Sequence, residues 1–387
     1  MHKNSLILYI TFLFLQIFTA NAQNIITGAE RTELYFESLK EKRIGIVTNH
    51  TGLIEYTHIV DSMLGAGLEV TYIFSPEHGF RGNSDAGHLI HNSVDDETGL
   101  EIVSLYGKNK KPDAKYLKKL DVVVFDIQDV GVRFYTYIST LHYVMEACAE
   151  NNVPLIVLDR PNPNGHFVDG PVLDPQFKSF VGLDPIPLVH GLTMGELAKM
   201  INGENWINGT CELTVIPCEN YTHKDLYDLP VPPSPNLPNM QAVYLYPSLG
   251  FFEGTIMSVG RGTNLPFQVY GHPNYIDKDF SFLPLPTYGA TNPKLKGETC
   301  YGPKPEDILY EHAINSGINI GFLKDAYLKT QTDKFFNNFF NLLAGNATLQ
   351  EQIIKDVPVE DIKQSWQPGL ERYLKMRKKY LLYDDFD

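Results

Sequence analysis

Cysteine is scarce in this chain: 4 residues in 387, Cys148, Cys211, Cys218 and Cys300. That is too few and too scattered for a disulfide framework, and none stands at a Cys/His spacing suited to zinc. Cys211 and Cys218 flank a short strand-like run, where a disulfide and two free buried thiols are both compatible with the spacing. Positive charge is also short. Lys and Arg number 32 against 46 Asp and Glu, a formal net charge of -14. Binding to nucleic acid needs a basic face, so this balance argues against such a partner. No Gly-x-Gly-x-x-Gly follows the first strand, so a dinucleotide cofactor has no support. No Gly-x-Ser-x-Gly elbow is present, which weakens an α/β-hydrolase reading. An esterase or amidase would also need a Ser or Cys nucleophile with a His partner, and none is evident. Internal repeats and low-complexity segments are missing too. Neither a metal nor an organic cofactor is expected.

What is present begins at the N-terminus. Lys3, an apolar run over residues 6–18 and then Thr19-Ala20-Asn21-Ala22-Gln23 read as a secretory signal peptide cleaved after Ala22. The run is too short to span a bilayer comfortably, and no Cys follows it to carry a lipid. No later segment is long and apolar enough to span. The expectation is an exported protein, periplasmic or secreted, with no membrane span once the signal is removed. The length allows one large or two ordinary domains.

Downstream, apolar strand-like runs alternate with helical spacing. Residues 43–50, 68–74, 101–106, 121–129 and 153–158 read as strands. Residues 57–64, 113–119 and 135–151 read as helices, the last with Ile138, Leu141, Val144, Met145 and Cys148 on one face. Such alternation predicts βαβ units and a mainly parallel sheet with right-handed crossovers. Thr193 followed by Glu196 predicts a capping box at the head of a helix over 193–202, and residues 212–217 a further strand. Residues 229–239 hold the densest run of proline, stiff and extended. This run is either a domain linker or a rigid wall of a site. Beyond about residue 266 the pattern is that of a smaller α+β unit. Its last third reads as amphipathic helix, through Phe335, Phe336, Phe339, Phe340, Leu342 and Leu343 and again over 370–380.

Each strong strand of the first part ends in groups that do chemistry. The first gives Asn49 and His50; the second gives Glu77, His78 and, further on, Arg81. The fourth gives Asp126, Gln128 and Asp129, with Arg133 and Tyr135 close behind. The fifth gives Asp159, Arg160, Asn162 and Asn164. In a parallel sheet these ends share one rim. Several polar ends on one rim favour a ligand pocket over isolated caps and ion pairs. Glu253 and Arg261 lie in a second polar, Gly-rich region beyond the prolines. A poorly solvated carboxyl group can stay protonated and donate; Glu77 is the candidate, because it follows an apolar strand directly. Asp126 or Asp129 supplies the second carboxylate that glycoside hydrolysis usually needs. An Asp129–Arg133 ion pair holding the loop is the alternative, and Asp159 has the alternative role of fixing Arg160. Arg160 and Arg261 suit a substrate carboxylate, which a guanidinium binds bidentately. His78 either orients a carboxylate or holds a hydroxyl. His88, His91, His142, His166 and His223 are read as surface or packing residues.

The motifs together carry a resemblance. Asn49-His50-Thr51-Gly52, Ser75-Pro76-Glu77-His78-Gly79, the run Phe125-Asp126-Ile127-Gln128-Asp129-Val130-Gly131-Val132-Arg133-Phe134-Tyr135-Thr136-Tyr137, Leu158-Asp159-Arg160-Pro161-Asn162-Pro163, Asp169-Gly170-Pro171, His190-Gly191, Pro233-Ser234-Pro235-Asn236, Glu253-Gly254-Thr255 and Gly260-Arg261-Gly262-Thr263 resemble the peptidoglycan exo-β-N-acetylmuramidases, formerly a domain family of unknown function. The match extends over nearly all of the chain after the signal peptide, with weaker signatures in the C-terminal part. The resemblance implies an α/β fold: a Rossmann-like, mainly parallel sheet with helices on both faces, plus a smaller α+β C-terminal domain, with the cleft between them. The expected organisation is a signal peptide over 1–22, a catalytic domain over 23–262 and an auxiliary domain over 263–387. It implies release of N-acetylmuramic acid from the non-reducing end of cell-wall glycan fragments, without metal or nucleotide. It places Glu77 at the family's proposed catalytic Glu. Asn49, His50, His78, Arg81, Gln128, Arg133, Tyr135, Arg160, Asn162, His190, Glu253 and Arg261 are the expected saccharide-binding residues. The competing class is a non-enzymatic periplasmic muropeptide-binding protein, which two domains around a polar cleft would also suit.

Overall fold

The computed structural model describes residues 24–77, 79–81, 92–330, 332 and 334–386. The signal segment and His78, His88 and His91 lie outside the described residues. Seven strands form one sheet: β1 (Ile44–Thr48), β2 (Val70–Ser75), β3 (Ser93–Val94), β4 (Glu101–Ser104), β5 (Val122–Asp126), β6 (Leu155–Leu158) and β7 (Leu213–Ile216). Their order is β3-β4-β2-β1-β5-β6-β7. Only β3 pairs antiparallel; every other neighbour is parallel. From β1 the chain winds outward one way through β2, then returns to β5 on the opposite side. The sheet is thus doubly wound, and its switch point lies beside β1, where such folds place their ligands.

The alternation within each strand decides which helix packs where. Val123 and Phe125 of β5 face one side, with Leu155 and Val157 of β6. There they meet α2 (Tyr137–Asn151) and α3 (Met194–Gly203) through residues such as Leu141, Met145, Leu197 and Ile201. Val122 and Val124 point the other way, with Ile44 and Ile46, and meet Ile59, Val60 and Met63 of α1 (Ile59–Gly65). A parallel sheet covered on both faces needs strands that are apolar throughout, which is why β1 and β5 read as unbroken apolar runs. α2 stops at Asn152, a left-handed residue whose N–H donates to the carbonyls of Cys148 and Ala149. The capping box of α3 is present: Thr193 Oγ1 accepts from Glu196 N at 3.3 Å, and the Glu196 carboxylate accepts from Thr193 N at 2.9 Å.

The C-terminal part opens with α4 (Met240–Leu249) and carries a two-stranded antiparallel sheet, β8 (Phe280–Phe282) with β9 (Cys300–Gly302). α5 (Tyr310–Ser316), α6 (Gly321–Lys329), α7 (Phe340–Ala344), α8 (Thr348–Ile354) and α9 (Val359–Arg377) complete it. The Phe-rich run differs from its expected helix. Only α7 is helical, because Phe335 and Phe336 are drawn out as extended backbone beside Thr255 and Ile256, with Ile256 N donating to Phe335 O at 3.0 Å. α9 begins well before residue 370 and carries Pro368 inside it. All four cysteines are free and buried. Cys211 Sγ donates to Glu212 O at 3.9 Å and Cys218 Sγ to Asp159 O at 3.3 Å, so Cys211 and Cys218 do not pair. Among the described residues, no helix is long and apolar enough to cross a membrane.

Candidate active site

β2 ends at Ser75, and Pro76 turns the chain so that Glu77 enters a cavity of about 490 Å³. That volume falls within the roughly 300–1,000 Å³ of small-ligand sites. Thr136 lies just before α2, and its hydroxyl donates to Glu77 Oε2 at 2.8 Å. The Tyr106 phenol, from the loop after β4, lies on the cavity wall close to Glu77; burial and the nearby carboxylate charge push its pKa upward. Tyr135 lines the cavity and donates to Pro233 O at 2.8 Å. His50 Nε2 donates to Pro232 O at 2.9 Å. These bonds tie the proline-rich run to the strand ends, and Ser234 and Leu237 of that run face the cavity. Of its two readings, the run is a wall of the site.

The opposite wall comes from the C-terminal part. Glu253 and Arg261 both line the cavity, with Arg261 Nε donating to Glu253 Oε1 at 3.3 Å. The guanidinium lies over the Phe267 ring, 4.8 Å from its centroid. Lys294 Nζ donates to the carbonyls of Phe252 at 3.1 Å and Thr255 at 2.7 Å. Burial alone would raise the Glu253 carboxyl, but the Arg261 and Lys294 charges outweigh it and hold it below the ordinary glutamate value. Between the walls stands Tyr246, half-buried, whose phenol feels the charges of Arg261, Glu253, Glu77 and Asp129. The cavity therefore holds two carboxylates, Glu77 and Glu253, on separate parts of the chain.

Several expected site residues are placed behind these walls instead. Arg160 donates to Asp126 through Nε at 2.6 Å and Nη2 at 2.9 Å, and neither side chain reaches solvent or the cavity. Arg160 thus already holds its carboxylate, and Asp126 is that partner rather than the second carboxylate of the cavity. Asp159 does not fix Arg160; it accepts from Thr193 Oγ1 and Gly195 N and so anchors the head of α3. Asp129 is buried behind the tyrosines and accepts from Gly131 N at 2.6 Å. Burial pushes its carboxyl up to about 7, against the pull of the Gly131 and Val130 N–H groups. Arg133 forms no ion pair with it. Arg133 is fully buried and donates to four carbonyls, those of Pro171, Ile186, Leu343 and Ala344, clamping the loop after β5 to α7.

The remaining candidates support the site from further back. Asn49 Nδ2 donates to the Tyr137 hydroxyl at 2.9 Å, and Gln128 Nε2 to the carbonyls of Asp129 and Pro161. Asn162 bonds Leu192 O and Asn164 N. Arg81 pairs with Asp95 and Glu97. His190 is buried, accepts from Leu192 N, and burial with nearby cations pulls its pKa down to about 3. Sequence reasoning missed Tyr106, Lys110, Thr136, Tyr137, Phe180 and Tyr246, all on the cavity wall. Thr136 and Tyr137 were within reach, as they continue the run from Arg133 to Tyr135. Tyr106, Lys110 and Phe180 carry no local signal.

Comparison with known proteins places this arrangement. Residues 44–241 match the family model described as exo-β-N-acetylmuramidase NamZ, N-terminal, and residues 244–383 its C-terminal counterpart. The peptidoglycan β-N-acetylmuramidase NamZ of Bacillus subtilis (strain 168) is 39% identical over 376 residues, covering 90% of this chain and 89% of that protein. Two crystal structures of DUF1343 family proteins from Bacteroides fragilis NCTC 9343 share the fold. One has a TM-score of 0.87 at 49% identity, covering 94% of this chain and 99% of its own. The other has a TM-score of 0.79 at 31% identity, covering 93% and 99%. The chain belongs to the exo-β-N-acetylmuramidase NamZ family along both its N-terminal and its C-terminal parts.

Proposed function

We infer that this protein is an exo-acting β-N-acetylmuramidase, which removes N-acetylmuramic acid from the non-reducing end of peptidoglycan fragments. The observation that carries this, beside family membership, is Glu77 on the wall of a sugar-sized cavity, at the carboxyl end of a buried parallel strand. Glu77 is the proton donor to the departing glycosidic oxygen, with the Thr136 hydroxyl fixing its carboxyl group and Tyr106 beside it on the cavity wall. Glu253 stands in the same cavity as the second carboxylate and is kept ionised by Arg261 and Lys294. Phe134, Tyr137, Tyr246 and Phe267 give the apolar faces against which a pyranose ring packs. A protein that only binds muropeptides would have no need of a carboxyl group held in place by a hydroxyl on the wall of its sugar cavity. The leader over residues 1–22 supports an exported enzyme, periplasmic or secreted, working in cell-wall turnover and recycling.

Replacing Glu77 by Gln keeps the shape and removes the proton. The E77Q enzyme should lose about 10²–10⁴-fold in kcat on a chromogenic muramide while holding N-acetylmuramic acid with little change in Kd. Hydrolysis by E77Q at the wild-type rate would remove Glu77 from the mechanism. A wild-type protein that binds the muramide and never cleaves it would make this a binding protein.

A further inference from the structure

We propose that Arg261 is the residue that reads the lactyl carboxylate of N-acetylmuramic acid and so makes the site selective for muramic over glucosamine ends. The inference rests on the muramidase reading and deepens it. N-acetylmuramic acid differs from N-acetylglucosamine by a lactyl ether on the ring, which ends in a carboxylate. A site that prefers it needs a cation on the cavity wall. Among the described arginines, Arg133 is spent on carbonyls, Arg160 on Asp126 and Arg81 on Asp95 and Glu97. Arg261 lines the cavity itself. Its Nε is held by Glu253, and neither terminal nitrogen has a protein acceptor among the described residues or is closed off from the cavity.

Charge counting agrees. Arg261 and Lys294 act on the single carboxylate of Glu253, which leaves the cluster one positive charge in excess. An incoming carboxylate balances it. The Phe267 ring under the guanidinium and the half-buried Tyr246 beside it narrow the access of water, which strengthens a charge-assisted bond formed there. Lys110, the other cation on the cavity wall, sits 4.3 Å over Phe180, beside Tyr106. It is a compact ammonium without a planar fork to match a carboxylate.

The test compares Kd for N-acetylmuramic acid with Kd for its methyl ester, by calorimetry, in the wild type, R261Q and K110Q. Chromogenic muramide turnover by the wild type is measured alongside. The wild type should favour the acid by about 10- to 100-fold, the span of one charge-assisted bond. In R261Q this ratio should fall to near one, and in K110Q it should persist. A ratio that survives R261Q, or collapses in K110Q instead, overturns the assignment. So does a wild type that cleaves the muramide yet binds acid and ester alike, an outcome that leaves the muramidase reading intact. A wild type that neither binds nor cleaves any muramide overturns that reading and this inference with it.

Discussion

Asp126 and Arg160 show how far a single residue can be read without its neighbours. Each has the chemistry of a site residue, and each follows a strand on the expected rim. In the fold they satisfy one another, with side chains 0% and 4% exposed. Such a pair adds little net stability when intact, since desolvation offsets most of the attraction. Losing one partner strands the other charge in the interior. R160Q should therefore destabilise the protein by about 3–5 kcal/mol, read as a lower urea midpoint at unchanged m-value. A change under about 1 kcal/mol would mean that water or another cation reaches Asp126. Glu77 was legible because its environment is local: an apolar strand leads straight into it. Glu253 was legible as a binding group and not as the cavity's second carboxylate, because its partners Arg261 and Lys294 meet it only after folding.

Elements were more legible than residues wherever periodicity and caps coincide. α2 and α3 carry both signals, and their bounds fall within two residues of those read from sequence, whereas β5, which has periodicity alone, ends three residues before the expected Asp129. The head of α3 offers a direct test. Thr193 caps Glu196 N and also donates to buried Asp159 Oδ2 at 2.7 Å. T193A should cost about 1–2 kcal/mol in chemical unfolding, while T193S, which keeps the hydroxyl, should stay close to the wild type. Equal losses in both variants would point to the methyl group and its packing instead. The Phe-rich run was misread for a tertiary reason. Its helical spacing is real, but Thr255 and Ile256 offer backbone partners that pull Phe335 and Phe336 into extended form. Gly254 permits the approach, since a Cβ there would stand 2.4 Å from Phe340 Cα.

On the scale of the whole molecule, the sequence foretold a shared rim, and the fold divides it into two layers. The ends of β1, β5 and β6 make a buried polar network of Asn49, Asp126, Gln128, Arg160 and Asn162. The cavity lies over that network, closed by the proline-rich wall and the C-terminal part. Nothing local tells which polar ends belong to which layer. Burial tells them apart through pH. Asp129 is held in the folded protein with its pKa pushed up to about 7, whereas an unfolded Asp titrates near 3.9. Between these values the folded state keeps a proton that the unfolded state has lost. This contribution to stability is complete below about pH 3.9 and disappears as pH rises through about 7. Asp159, raised to about 6 by burial, acts in the same sense; His190, lowered to about 3, acts oppositely. Both are common to the wild type and D129N, so the difference between the two proteins isolates Asp129. Asparagine matches the neutral acid in shape and cannot ionise. The stability of D129N relative to the wild type should climb by a few kcal/mol from about pH 4 to about pH 7 and then level off, measured by urea unfolding at each pH. A difference that stays flat over that interval would mean that Asp129 is already ionised in the folded protein, with water or a cation reaching its second oxygen.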